Sequence, residues 1–211
     1  MLKALFYPDV DFKTLFIPHI YKEIYFDGLY VDILNQKKDL VIMDVGANIG
    51  VTVQHFQPYA KKLYAIEPAK QHFEALSKNK EFNGWDNVEV FNMALADRDG
   101  EMTLNHLEGN KTCHSLTNDY GQGGEKVKTM TFESFMKENN IDVVDFCKFD
   151  VEGAEDMILR APGFTNVADR VKSIMIEFHH HSFPALVEHL TKLGYTPRRY
   201  PCDAVVVLFT R

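Results

Sequence analysis

The chain has few cysteines, and those it has form no pattern. Cys113, Cys147 and Cys202 are far apart and odd in number. They lack the close spacing of a zinc site and cannot all pair with one another, so reduced thiols in a cytoplasmic compartment are expected. Long apolar runs are also missing, and nothing approaches the ~20 residues that a membrane-spanning helix needs. The opening residues Met1-Leu-Lys-Ala-Leu-Phe-Tyr-Pro8 are interrupted by Pro8 and Asp9 before the sustained apolar stretch of a signal peptide can form. Positive charge is not in excess. With 23 Lys and Arg against 30 Asp and Glu, the net charge is −7. No basic run interrupts that balance, which argues against a broad nucleic-acid footprint. There is no internal repeat and no low-complexity tract.

What remains is the composition of an ordinary soluble domain. The 211 residues are 45% hydrophobic and 25% charged, enough to build one substantial core. Residues 1–39 read as a lead-in that packs on this core, rich in aromatics (Phe6, Tyr7, Phe12, Phe16), with a helix from Pro18 to about Phe26 closed by Gly28. Residues 40–211 read as the domain itself.

Leu40 to Val45 is a short, nearly all-apolar run, as expected of a strand covered on both faces. It leads into Gly46-Ala-Asn-Ile-Gly50 and a helical pattern from Val51. Such a turn suits either a close backbone approach to a nucleotide or an ordinary strand-to-helix junction. A strand from Leu63 to Ile66, a helix over about Lys70 to Asn83 and a strand from Val88 to Met93 follow. This rhythm predicts βαβ units and a parallel sheet. The middle of the chain departs from it. Gly100 to Leu107 alternates like a strand, Gly109 to Gly124 reads as a long loop, and Val127 to Met130 as another strand. Alternation then resumes with strands at Val143 to Phe149 and Val171 to Phe178. Helices are expected from Ala154 to Arg160 and Phe183 to Leu193, with a closing hairpin of Tyr195 to Arg199 and Ala204 to Thr210.

Glu67, at the end of the second strand, lies about 20 residues beyond the glycine turn, where doubly wound sheets place a carboxylate on ribose hydroxyls. The turn reads Asp-x-Gly-x-x-x-Gly (Asp44, Gly46, Gly50), not the Gly-x-Gly-x-x-Gly of a pyrophosphate site. An acid before the turn suits a cationic ligand better than a pyrophosphate. That favours a methyltransferase over a nicotinamide-dependent oxidoreductase; the other alternative, a cofactor-binding protein without turnover, is opposed by the candidate chemical groups at Asp150 and His179.

Two further centres carry chemistry. Asp150-Val-Glu-Gly-Ala-Glu155 closes a strand at the carboxyl edge of the sheet, where Asp150 and Glu152 either face a ligand or cap the helix that follows. In Glu177-Phe-His-His-His181, alternation puts Glu177 and His179 on one side of the strand. The three histidines are either a polar strand end or part of the chemistry; in the second case His179 is the leading base, since an imidazole can take a proton near neutral pH and a neighbouring carboxylate can orient it. Asp150, Glu152, Glu177 and His179 also compose a conceivable divalent-metal set. Carboxylates beside a cationic cofactor need no ion to explain them, and no metal is assigned.

Asp44-Val-Gly-Ala-Asn-Ile-Gly50, Ala65-Ile-Glu-Pro68, Lys148-Phe-Asp-Val-Glu-Gly-Ala-Glu155 and Ile176-Glu-Phe-His179 together resemble the FkbM family of S-adenosylmethionine-dependent methyltransferases. The resemblance implies a Rossmann-like α/β class I fold: a mostly parallel seven-stranded sheet with an antiparallel last strand and helices on both faces. It also implies O-methylation of a hydroxyl on a sugar, glycan, polyketide or small metabolite. By position, Asp44, Gly46, Ala47, Asn48 and Gly50 would line the methionine and ribose side of the cofactor, joined by Asp150. Glu67 would take the ribose hydroxyls, and Asn92, Met93 and Ala94 the adenine. Asp150, Glu152, Glu177 and His179 would form the catalytic set.

Overall fold

Strand β1 (Leu40–Val45) forms the centre of the molecule because its residues are apolar on both sides, and a parallel sheet with helices on each face has room for such a strand. A computed structural model describes residues 30–34, 37–106, 114–117, 123–178, 183–200 and 205–211. Ahead of β1 lies one helical turn, α1 (Val31–Leu34). After it come α2 (Val51–Phe56), a 3-10 turn at Gln57–Tyr59, β2 (Ala60–Ile66), α3 (Lys70–Asn83) and β3 (Val88–Phe91). The middle of the chain supplies β4 (Ala94–Leu95), β5 (Gly100–His106), β6 (His114–Ser115), β7 (Gly124–Met130) and α4 (Phe132–Glu138). The chain then runs through β8 (Phe146–Phe149), α5 (Glu155–Leu159), α6 (Pro162–Thr165), β9 (Ser173–Glu177), α7 (Phe183–Lys192), β10 (Thr196–Arg199) and β11 (Val206–Thr210).

Seven strands form the main sheet in the order β10-β11-β9-β8-β1-β2-β3. The five from β9 to β3 are mutually parallel, and β11 enters antiparallel between β9 and β10. This is the expected seven-stranded sheet with its antiparallel final strand. Alternation along β1 splits the core in two. Met43 and Val45 face a cluster with Phe149, Ile176, Phe135 and Phe164, while Ile42 faces Leu63, Phe146, Met175 and Leu208 beneath Tyr30 and Phe56. Among the described residues no helix is long and apolar enough to cross a membrane.

Strand ends differ from the sequence expectation where polar groups interrupt the ladder. The strand expected from Val143 begins at Phe146, because Asp145 turns its carboxylate to the Val41 N–H (2.8 Å) and the Lys172 ammonium (2.7 Å). The strand expected to reach Met93 stops at Phe91, since Met93 turns into the core before β4 begins. A second sheet, in the order β4-β7-β5-β6, was legible only as two isolated strands. Part of the segment expected to be a long loop is strand β6, which pairs with the end of β5 through His106 and His114. The lead-in helix expected over 18–26 lies outside the described residues.

Candidate active site

Strand register gathers charges that are distant in sequence. Asp44 on β1 lies opposite Lys148 on β8, and Lys148 lies opposite Met175 on β9. Partners across a parallel ladder share a face, and so do residues two apart on one strand. Asp44, Lys148, Asp150 and Glu177 are therefore brought to one side of the sheet at its carboxyl edge, the side on which Tyr30 packs. The Lys148 ammonium sits 3.2 Å from Asp150 Oδ2 and 3.6 Å from Asp44 Oδ1. Asp44 is wholly buried and Lys148 is 5% exposed, so this contact forms away from solvent. The other Asp44 oxygen, Oδ2, accepts a hydrogen bond from the Thr52 hydroxyl in the first turn of α2. Asp44 Oδ1 is buried and, among the described residues, has only the Lys148 ammonium at ion-pair distance, beyond ordinary hydrogen-bond length.

The electrostatics follow from that burial. Loss of solvent pushes the Asp44 carboxyl up from its ordinary value, against the opposing pull of the Lys148 ammonium and the Thr52 hydroxyl. Burial works against the Lys148 ammonium, yet Asp150 and Asp44 outweigh it, with a further contribution from Glu177, and hold the group protonated. Burial also raises the Tyr30 phenol, which stays neutral. Neither Lys148 nor Tyr30 is poised to act as a base.

The glycine turn is built for contact between chain segments. Gly46 has φ +84°, and a Cβ there would lie 1.9 Å from the Asp150 carbonyl oxygen. Gly50 has φ +97°, and its Cβ would meet Leu76 Cδ1 of α3 at 2.8 Å. The missing side chains thus let the turn after β1 lie against the turn after β8 and against α3. Glu67 fastens the same turn from the other side. Its Oε2 accepts the Asn48 N–H and its Oε1 the Ala69 N–H, both at 2.9 Å. Asn92 donates its amide to the Glu67 and Pro68 carbonyls at 3.1 and 2.8 Å, so it braces the turn carrying Glu67. Met93 and Ala94 are buried.

The Asp150-to-Gly153 turn is held in an unusual backbone conformation, with Glu152 at φ +53° and Gly153 at φ +100°. A left-handed non-glycine residue costs about 1–3 kcal/mol and persists only when its surroundings fix it. The buried Glu155 carboxylate takes the Val151 and Gly153 N–H groups at 3.4 and 3.3 Å, and Ser115 on β6 donates its hydroxyl to the Glu152 carbonyl at 2.8 Å. At its other end β6 reaches the neighbourhood of Glu67. His114 hydrogen-bonds His106 between their Nδ1 atoms (3.0 Å), and its ring lies 4.9 Å from that of His72, whose Nδ1 is 3.7 Å from Glu67. The small sheet therefore runs as a strap from Glu67 to the Glu152 turn, along the carboxyl edge where open α/β sheets have their ligand crevice. This strap had no sequence signal, because its residues meet only through long-range pairing.

Of the residues singled out by sequence, Asp44, Asp150 and Glu177 converge around Lys148. Gly46, Ala47, Asn48, Gly50 and Glu67 form the adjoining turn, and Glu152 lies under the strap. His179 lies outside the described residues. Among the described residues no group of three or more His, Cys, Asp or Glu side chains is arranged to hold a metal. Lys148, Thr52, Tyr30 and Ser115 were not singled out. Lys148 carried a legible signal, since a lysine inside the apolar run Phe146-Cys-Lys-Phe149 needs a buried counter-charge.

The arrangement fits S-adenosylmethionine. Each Glu67 oxygen accepts one backbone N–H and keeps capacity for a second donor, as a ribose diol requires. Asp44, Asp150 and Glu177 already hold one cation, the Lys148 ammonium, so the carboxyl edge of the sheet is electrically suited to positive charge.

Comparison with known proteins identifies the family and the fold. The family model described as the methyltransferase FkbM domain matches residues 44–197. No curated protein matches the chain closely enough to count as a relative. Among solved structures, a methyltransferase FkbM from Methylobacillus flagellatus KT superposes with a TM-score of 0.60 at 16% identity, over 90% of this chain and 48% of that one. The chain thus spans about half the length of that protein. An rRNA methylase from Streptococcus thermophilus gives 0.56 at 13% identity over 89% and 95% of the two chains. A SAM-dependent methyltransferase from Aquifex aeolicus gives 0.53 at 12% over 95% and 98%. At these identities the superpositions establish the class I methyltransferase fold, and the family match establishes kinship. The chain belongs to the FkbM methyltransferase domain family.

Proposed function

We propose that the protein is an S-adenosylmethionine-dependent O-methyltransferase acting on a hydroxyl of a sugar, glycan, polyketide or small metabolite. The observation that carries this reading is the gathering of Asp44, Asp150 and Glu177 around Lys148 at the carboxyl edge of the sheet, in a chain of a methyltransferase family. The turn from Gly46 through Ala47 and Asn48 to Gly50, together with Asp44 and Asp150, would hold the methionine side of the cofactor. Glu67 would take the ribose hydroxyls, and the chain at Asn92, Met93 and Ala94 would border the adenine. When bound, the cofactor supplies a methyl group on a sulfonium, which is already a good leaving group.

The protein's own task is then positioning and proton removal. His179 takes the proton of the acceptor hydroxyl on an imidazole nitrogen, and Glu177, two residues earlier, orients that ring. Asp150 and Glu152 support the acceptor side. The net charge of −7 favours a small-molecule or glycan acceptor over a nucleic acid. A cytoplasmic location is in keeping with the sparse, scattered cysteines.

The test is a screen of hydroxyl acceptors with methyl-labelled S-adenosylmethionine, run with and without a chelator. Labelled product is expected in both conditions. His179→Ala is expected to keep cofactor affinity and to lower turnover by about 10²–10⁴, the usual contribution of a general base. Unchanged turnover would remove His179 from the mechanism, and transfer to a nitrogen or carbon acceptor alone would overturn O-methylation.

A further inference from the structure

Lys148 is a charged side chain buried in the middle of a strand, and the mechanism above gives it no task. An ammonium in such a place is costly unless it is paired, and here it is paired twice, with Asp150 at 3.2 Å and Asp44 at 3.6 Å. With three N–H donors, a buried ammonium can take both partners, and the two differ in exposure. The second partner, Asp150, is partly open to the crevice, with its side chain 31% exposed, while Asp44 is closed off behind it. The ammonium therefore bridges a carboxylate of the interior and a carboxylate of the site.

We propose that Lys148 is a positioning residue of the cofactor site, which keeps Asp44 ionised and Asp150 fixed in place so that the crevice presents negative charge to the cationic methyl donor. The inference rests on the proposed function. Among the described residues, several elements contribute to the balance. Asp44 comes from β1, Thr52 from α2, Lys148 from β8 and Asp150 from the turn after it, Glu177 from β9 and Tyr30 from the segment ahead of α1. Tyr30 is neutral, so Lys148 is the cation among these groups, set against three carboxylates. Removing it leaves Asp44 buried beside Asp150 with only the Thr52 hydroxyl in support. Asp44, already pushed up by burial, then rises further and is neutral over more of the pH range. The two neighbours act on Asp44 with opposite sign, since the ammonium lowers it and the Asp150 charge raises it.

That opposition supplies a readout that packing alone would not move. Binding of S-adenosylmethionine is measured by calorimetry from pH 5 to 9 on the whole chain and on Lys148→Met, Lys148→Arg and Asp150→Asn. Below an acid limb, affinity should fall about tenfold per pH unit as a single carboxylate protonates. The limb is expected to move to higher pH in Lys148→Met, to return toward its original position in Lys148→Arg and to move to lower pH in Asp150→Asn. If Lys148→Met does not fold, the contrast between Lys148→Arg and Asp150→Asn still decides the point. Limbs that coincide in all folded variants, or that move in the same direction for Lys148→Met and Asp150→Asn, would overturn the inference and leave the methyltransferase reading standing. A wild-type chain that binds neither S-adenosylmethionine nor S-adenosylhomocysteine would overturn both.

Discussion

Gly46→Ala is expected to destabilise the protein by more than about 3 kcal/mol, a large part of the ~5–15 kcal/mol that holds a typical domain together. Two costs coincide at this position. The backbone has φ +84°, where a side chain costs about 1–2 kcal/mol. The added carbon would also lie 1.9 Å from the Asp150 carbonyl oxygen, a backbone atom that cannot swing aside. Relief requires β1 and β8 to part at their carboxyl ends, where the Asp150 N–H donates to the Val45 carbonyl at 3.1 Å. Gly84→Ala provides the control. It also has positive φ (+64°), but a Cβ there meets nothing within 4 Å, so only the conformational cost of about 1–2 kcal/mol applies. Urea denaturation of both variants should separate them clearly. Equal midpoints would mean that the two turns are not packed as described.

Glu67→Ala should impair folding and cofactor binding together. Its carboxylate accepts the Asn48 and Ala69 N–H groups at 2.9 Å, and truncation leaves both without that acceptor. Each stranded donor costs about 1–3 kcal/mol. The same truncation removes the acceptors proposed for the ribose hydroxyls. Hydrogen bonds to a charged group contribute about 1.5–3 kcal/mol each, so affinity for S-adenosylhomocysteine should fall on the order of 100-fold or more. Glu67→Gln retains the shape and one carbonyl acceptor. It is expected to lose affinity while recovering part of the stability. A Glu67→Ala protein that melts like the wild type would show that the ties to Asn48 and Ala69 contribute little.

The sequence was informative wherever the relevant signal was local. Apolar runs ending at acids marked β1, β2 and β8, while the meeting of Glu177 with Lys148 had no local signal. The antiparallel β11 was recognisable as half of a closing hairpin. Long-range pairing was not readable. Lys148 lies within a quoted motif, but its partnership with Asp44 depends on the register of β1 against β8, which no stretch of either strand reveals. The strap is hidden for the same reason, since Ser115 meets Glu152 and His114 meets His72 across separate elements. The glycines illustrate the limit in another way. Their spacing marked a tight turn, but the space left by Gly46 is filled by the Asp150 carbonyl, so the requirement for glycine there is internal packing. Asn92, read as a neighbour of adenine, also donates its amide N–H groups to the Glu67 and Pro68 carbonyls, a bracing role that its position in the sequence did not show.

The central claim is that the turn after β1, closed by Glu67 and backed by Asp44 and Lys148, is a site for S-adenosylmethionine and not for a dinucleotide. Calorimetric titration of the purified chain with S-adenosylhomocysteine and, separately, with NAD tests it most directly. Saturable binding of S-adenosylhomocysteine at one site, with no heat from NAD, is the predicted result. Binding of NAD with none of S-adenosylhomocysteine would contradict the account.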